Sequence, residues 1–101
     1  MARIVLEDGR WFDSSKAEKF NEDTEWDGNN MRSCATGSPH NHERLYRTAG
    51  GKWILHGWSQ WQGSMEWHRE IDNDEAARWL VKNGHDDHEA CEAEIAALEV
   101  T

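Results

Sequence analysis

A chain of 101 residues carrying 20 acidic side chains against 11 Lys and Arg, a formal charge of −9, has room for one core and for no second domain. That charge repels nucleic-acid phosphates and anionic membranes, so direct nucleic-acid binding is not expected, and no run approaches the ~20 apolar residues that span a bilayer. The hydrophobic fraction is only 37%, but seven Trp concentrate apolar area in few side chains and predict an aromatic-rich core.

Arg3 to Leu6 is a short β-branched run, Asp8-Gly9 is a hairpin turn signal, and Arg10-Trp11-Phe12 resumes apolar character, so the chain opens with a β-hairpin. Asp13, Ser14 and Ser15 then offer cap side chains for a short helix through Lys16 to Phe20, in which Ala17 and Phe20 share a face. Residues 21–44 are polar, contain Gly28, Gly37 and Pro39, and show neither helical nor strand period; they read as a long irregular segment.

Arg44 to Ala49, the Gly50-Gly51 pair and Lys52 to Ser59 predict a second hairpin, with Trp53 and Leu55 on one face and Ile54 and His56 on the other. After Gly63-Ser64, the residues Met65, Trp67, Arg69 and Ile71 alternate with Glu66, His68 and Glu70, which adds a third strand to an antiparallel meander. Asp72 caps a helix carrying Ala76, Ala77, Leu80 and Val81 on one stripe, with Glu75 spaced to reach back to the cap and Ile71 to staple against Ala76. That helix stops at Asn83-Gly84, and a second one runs from Asp86 to Glu99 with Cys91, Ile95 and Leu98 as its apolar stripe. The expectation is a single α+β domain over residues 1–101: an antiparallel β-meander with an N-terminal hairpin and two C-terminal helices packed on one face.

Four groupings carry candidate chemistry. His88 and Cys91, with His85 or the His40–His42 loop, have a spacing that suits zinc, but Cys91 also belongs to an inward stripe and solvated His needs no ion, so no metal and no cofactor is expected. Gly-x-Ser-x-Gly, phosphate-cradling and zinc-protease patterns are all absent, and helix caps or solvated faces explain most carboxylates; no catalytic residue is assigned. In Trp58-Ser59-Gln60-Trp61 two aromatics flank small and amide residues, as at interface hot spots, although strand alternation turns Trp58 and Trp61 to opposite faces and leaves one of them for the core. Trp53, Trp67 and Trp79 sit inside regular elements and read as core, while Trp11 and Trp26 are better placed for exposure.

The fourth grouping is acidic. Residues 85–101 hold six acids and no Lys or Arg, and Asp72, Asp74, Asp86, Asp87, Glu89 and Glu92 cluster around the two helix starts. Such a surface is commonly just solvated, but it also steers a protein onto a basic partner. Two cysteines far apart, Cys34 and Cys91, and an N-terminus without a long apolar run read as a cytoplasmic protein.

The run LYRTAGGKWILHGWSQWQG (Leu45 to Gly63), followed by IDNDEAARWLVKNG (Ile71 to Gly84), the Asp8-Gly9 turn and Thr24 to Gly28, resembles a pattern in small bacterial and mobile-element proteins that carry no assigned activity. The resemblance covers about residues 1–84 and implies the fold more than the function. The functional expectation is a non-enzymatic acidic module that binds a basic protein, in one version a phage or mobile-element inhibitor of a nucleic-acid-handling protein, anti-CRISPR-like. The alternative is a bacterial accessory or regulatory domain that grips a ligand or partner through Trp58 and Trp61; a small metal-dependent enzyme is the third reading. A homodimer through the Ala-rich final helix is a further option.

Overall fold

The computed structural model describes residues 3–38, 40–60, 65–85 and 92–100, with the backbone alone of Glu92. β1 (Arg3–Val5) and β2 (Trp11–Asp13) pair antiparallel with Ile4 opposite Phe12. Their turn closes as Asp8-Gly9 predicts: Gly9 takes φ +92°, and the Asp8 carboxylate accepts from the Arg10 N–H at 3.1 Å.

The segment expected to be a short helix is different. Asp13 caps a single 3-10 turn, Ser14–Lys16, by accepting from the Ser15 N–H at 3.0 Å, and the chain then enters strand β3 (Glu18–Asn21). An isolated helix of five residues cannot recover its nucleation cost, whereas β3 gains a ladder along β6 and buries Phe20 against Trp53.

Residues 21–44 are also more ordered than their composition suggests. β4 (Thr24–Trp26) and β5 (Met31–Ser33) form a hairpin closed over Asp27 to Asn30, in which the Asp27 carboxylate accepts from the Asn29 and Asn30 N–H groups at 2.9 and 2.8 Å. Asp27-Gly28 is the same turn signal as Asp8-Gly9, with Gly28 at φ +103°. No alternation marks the strands because β4 is exposed throughout and offers no buried face.

The central sheet has the order β3-β6-β7-β8, all antiparallel, with β6 (Asn41–Arg47), β7 (Trp53–Ser59) and β8 (Trp67–Ile71) as the expected meander and β3 added at its edge. Alternation divides its side chains as the pattern requires. Phe20, Leu45, Trp53, Leu55 and Ile71 meet Ala76, Ala77, Trp79 and Leu80 of α1 (Asn73–Lys82), and Leu45 and Leu80 are fully enclosed. Tyr46 and Ile54, on the opposite face, meet Leu6 and Phe12 of the N-terminal hairpin. The helix therefore covers one face and the hairpin covers the other, each burial contributing roughly 1.5–3 kcal/mol per large apolar side chain.

α1 begins as predicted, with the Asp72 carboxylate accepting from the Glu75 N–H at 2.8 Å, although Glu75 sends its own carboxylate to Arg69 on β8 at 3.1 Å. It ends at Asn83, where Gly84 takes φ +79°. α2 (Glu92–Ala97) sets Ile95 against the main core, and the preceding residues 86–91 of the expected second helix lie outside the described residues. No helix among the described residues is long and apolar enough to cross a membrane.

One close approach sets the sheet's far end. A Cβ on Gly57 would lie 2.2 Å from the Trp67 ring, which packs directly on the Gly57 backbone across the β7–β8 ladder.

Candidate interaction surface

The β4–β5 hairpin projects an apolar pair into solvent. Trp26 and Met31 face each other across the strands, exposed by 63% and 53%, while on the reverse face Arg32 ion-pairs with Glu25. Residues 22–33 hold Glu22, Asp23, Glu25 and Asp27 against Arg32 alone, a net −3. Asp23, Glu25 and Asp27 are exposed. An exposed Trp on a charged rim has the composition of an interface anchor, because burying it against a partner removes a large apolar area from water.

The root of this hairpin is fixed from two sides. The Asp23 N–H donates to Asn83 Oδ1 at 2.9 Å, tying the hairpin to the end of α1, and Asn83 Nδ2 donates to the Trp79 carbonyl at 2.8 Å. On the other side the Glu22 carboxylate accepts from the Ser33 hydroxyl, the Glu43 N–H and the His42 ring. Ser33 is almost fully enclosed and His42 largely so, which makes Glu22 the centre of a polar knot that holds β3, β5 and β6 together.

A second aromatic group lies on the hairpin-side face of the sheet. Trp58 is half-buried, stacked with His42 at 5.6 Å between centroids, 4.9 Å from His56, and covered by the Arg44 guanidinium at 4.9 Å. His56 stacks on its cross-strand partner His68 at 4.2 Å. Desolvation holds both imidazoles below their ordinary value, and the neighbouring His68 adds to the effect at His56. The Glu66 carboxylate, 3.7 Å from His56 Nε2, is too far to hydrogen-bond, and neither ring nitrogen of His56 has a hydrogen-bond partner among the described residues. Trp67 turns to the other face of the sheet, so it and Trp58 form no common platform.

The residues singled out from sequence are dispersed. Asp72 is spent capping α1, and Asp74 is exposed in its first turn. Trp61, Asp86, Asp87, Glu89, His88 and Cys91 lie outside the described residues, as does the Glu92 side chain. His85 rests between Phe20 and Trp79, with Nε2 2.9 Å from the Asn21 carbonyl oxygen. Trp53 and Trp79 are core and Trp11 and Trp26 are exposed, as their positions implied, while Trp67, expected in the core, is half-buried and packs against it. Met31 and Glu43 were not singled out; the Asp27-Gly28 turn is the signal that pairs Met31 with Trp26, and nothing local marks Glu43.

Glu43 is half-buried in the first half of β6, and its carboxylate accepts from the Trp79 indole N–H at 3.1 Å. Desolvation raises its carboxyl above the usual range, against the indole and the charges of Lys82 and Arg69. In comparisons with known proteins, no family model matches this chain, and no curated protein or solved structure is similar to it.

Proposed function

We propose that this protein is a non-enzymatic interaction module that binds a basic protein, with Trp26 and Met31 as the apolar anchor and the acids around them as the steering charge. The exposed cross-strand Trp26–Met31 pair on a segment, residues 22–33, of net −3 carries the reading, with Asp23, Glu25 and Asp27 as its exposed acids. The disposition of six of the seven arginines supports it. Arg10, Arg32 and Arg69 are paired with the chain's own carboxylates, and Arg3, Arg44 and Arg47 lie over its own Trp11, Trp58 and Trp53 rings. Guanidinium groups engaged in this way are poorly placed to reach phosphates, while the net charge favours a cationic partner. An inhibitor seated in the phosphate groove of a nucleic-acid-handling protein is the narrower form, in the reducing cytoplasm that two distant cysteines suit.

The test uses the tagged protein and its Trp26→Ala variant as bait in lysate of the source cells, at low and high salt. The reading requires a partner of net positive charge that salt releases and that Trp26→Ala loses. A partner that resists salt, or one indifferent to Trp26, refutes it.

A second reading rests on a groove of about 390 Å³ beside Trp58, lined also by His42, Met65 and Trp67. A ligand or partner held there, with Trp58 as an anchor, would bind independently of salt and be lost in Trp58→Ala but retained in Trp26→Ala.

A further inference from the structure

A cleft of about 290 Å³ opens between α1 and the sheet, floored by Ile71 and Trp79 and bordered by Glu43, Arg69, Arg78 and Lys82. Its volume is near the lower end for small-molecule sites and leaves room for about ten water-sized groups at ~30 Å³ each. Three cations and two carboxylates, Glu43 and Glu75, line it, in a chain whose acids outnumber Lys and Arg 20 to 11. The excess of positive charge here runs against the rest of the molecule.

The cations differ in their commitments. Arg69 is ion-paired with Glu75 at 3.1 Å, whereas neither Arg78 nor Lys82 has an ion-pair partner among the described residues. Both are exposed, and with Glu75 they occupy one face of α1 at i, i+3 and i+7. Lys82 in the last turn is explained by the helix dipole, but Arg78, one turn earlier, is not. Beneath them the Trp79 ring and Ile71 offer an apolar floor.

We infer that this cleft binds an organic carboxylate, with its charged end between Arg78 and Lys82 and its apolar body over Ile71 and Trp79. A monoanion matches the small positive excess better than a phosphate dianion would, because Glu43 and Glu75 repel the second charge. A planar carboxylate also fits the Arg78 fork. The apolar body accounts for a floor that two cations alone would not need. The same chemistry could be brought by a small acid or by the C-terminal carboxylate of a peptide. The site is separate from the Trp26 hairpin, and it stands or falls independently of the basic-partner reading.

The test is an amide and indole NMR titration of the full chain with phenylacetate, phenylacetamide and phenyl phosphate, followed by N-acetyl-Leu-Phe as its free acid and as its amide. Phenylacetate should shift the Trp79 indole N–H and the amides of residues 75–82 saturably, with millimolar affinity as befits a ligand of this size. Phenylacetamide should not. The double variant Arg78→Ala/Lys82→Ala, at two exposed positions, should bind about tenfold more weakly or worse while keeping the wild-type spectrum elsewhere. Tighter binding of the peptide acid than of phenylacetate assigns the site to a chain end, and the reverse assigns it to a small acid. Absence of a saturable shift, equal shifts with the amide, stronger binding of phenyl phosphate, or full affinity in the double variant would each overturn the inference.

Discussion

Asn83→Ala tests whether the end of α1 holds the projecting hairpin in place. Asn83 is only 3% exposed, and its two side-chain hydrogen bonds join the Asp23 N–H of the hairpin root to the Trp79 carbonyl. The carbonyl keeps a second partner in the substituted chain, the residue 83 backbone N–H at 3.1 Å, so the uncompensated loss falls on the Asp23 N–H. A partly buried donor left without an acceptor costs about 1–3 kcal/mol, and about 2 kcal/mol is the working value here. For a domain of this size each kcal/mol moves the midpoint by about 4–8 °C, so the substitution should lower Tm by about 8–16 °C. Thermal unfolding followed by far-UV circular dichroism measures the shift, and hydrogen exchange at Asp23 localises it. A midpoint within about 2 °C of wild type, with Asp23 exchange unchanged, would show that the Asn83 bridge does not hold the hairpin.

Other consequences can be checked by the same methods. Gly57→Ala should destabilise by about 1–3 kcal/mol in urea denaturation, because its Cβ meets the Trp67 ring at 2.2 Å, and adding Trp67→Val should remove part of the penalty. His56 and His68 titrate below their ordinary value of 6.5, so the unfolded chain takes up their protons first. Their neutral-state stability is intact above pH 6.5 and is lost as pH falls from there towards the depressed folded values. A His56→Gln/His68→Gln variant should show a flatter stability profile over that window; parallel profiles would remove these imidazoles as the cause. Glu43 has the opposite sign, with its carboxyl raised above its ordinary value of 4.5, so ionising it costs stability as pH rises through the folded value. Glu43→Gln keeps an acceptor for the Trp79 indole and should be at least as stable as wild type at pH 7; a clear loss there would mean that the carboxylate charge itself stabilises the fold. Trp26→Ala should leave stability within about 0.5 kcal/mol, since the ring is exposed, and a larger loss would make Trp26 structural.

Local chemistry was legible wherever a few neighbouring residues decide the backbone. Asp8-Gly9 and Gly50-Gly51 mark their turns, the alternation from Trp53 to His56 divides the sheet's two faces, and Asp72 and Gly84 bound α1 because capping and the left-handed stop are satisfied within one turn of chain. The β4–β5 hairpin was missed in a segment that reads as irregular, since exposed strands need no apolar period and Asp27-Gly28 was its one local mark. Tertiary structure decided what local signals leave open. Lys16 to Phe20 offers helix caps and a two-residue face, yet Phe20 gains more by entering the core beside Trp53 and joining β6 as an edge strand. The Glu22 knot reaches 11, 20 and 21 residues along the chain, and the Glu43–Trp79 bond reaches 36. Arg78 and Lys82 on α1 come opposite Glu43 and Arg69 only because the helix packs across β6, β7 and β8. Turns and caps are short-range balances that a few residues complete alone, whereas a buried carboxylate or a shared cleft depends on partners that only chain folding brings together.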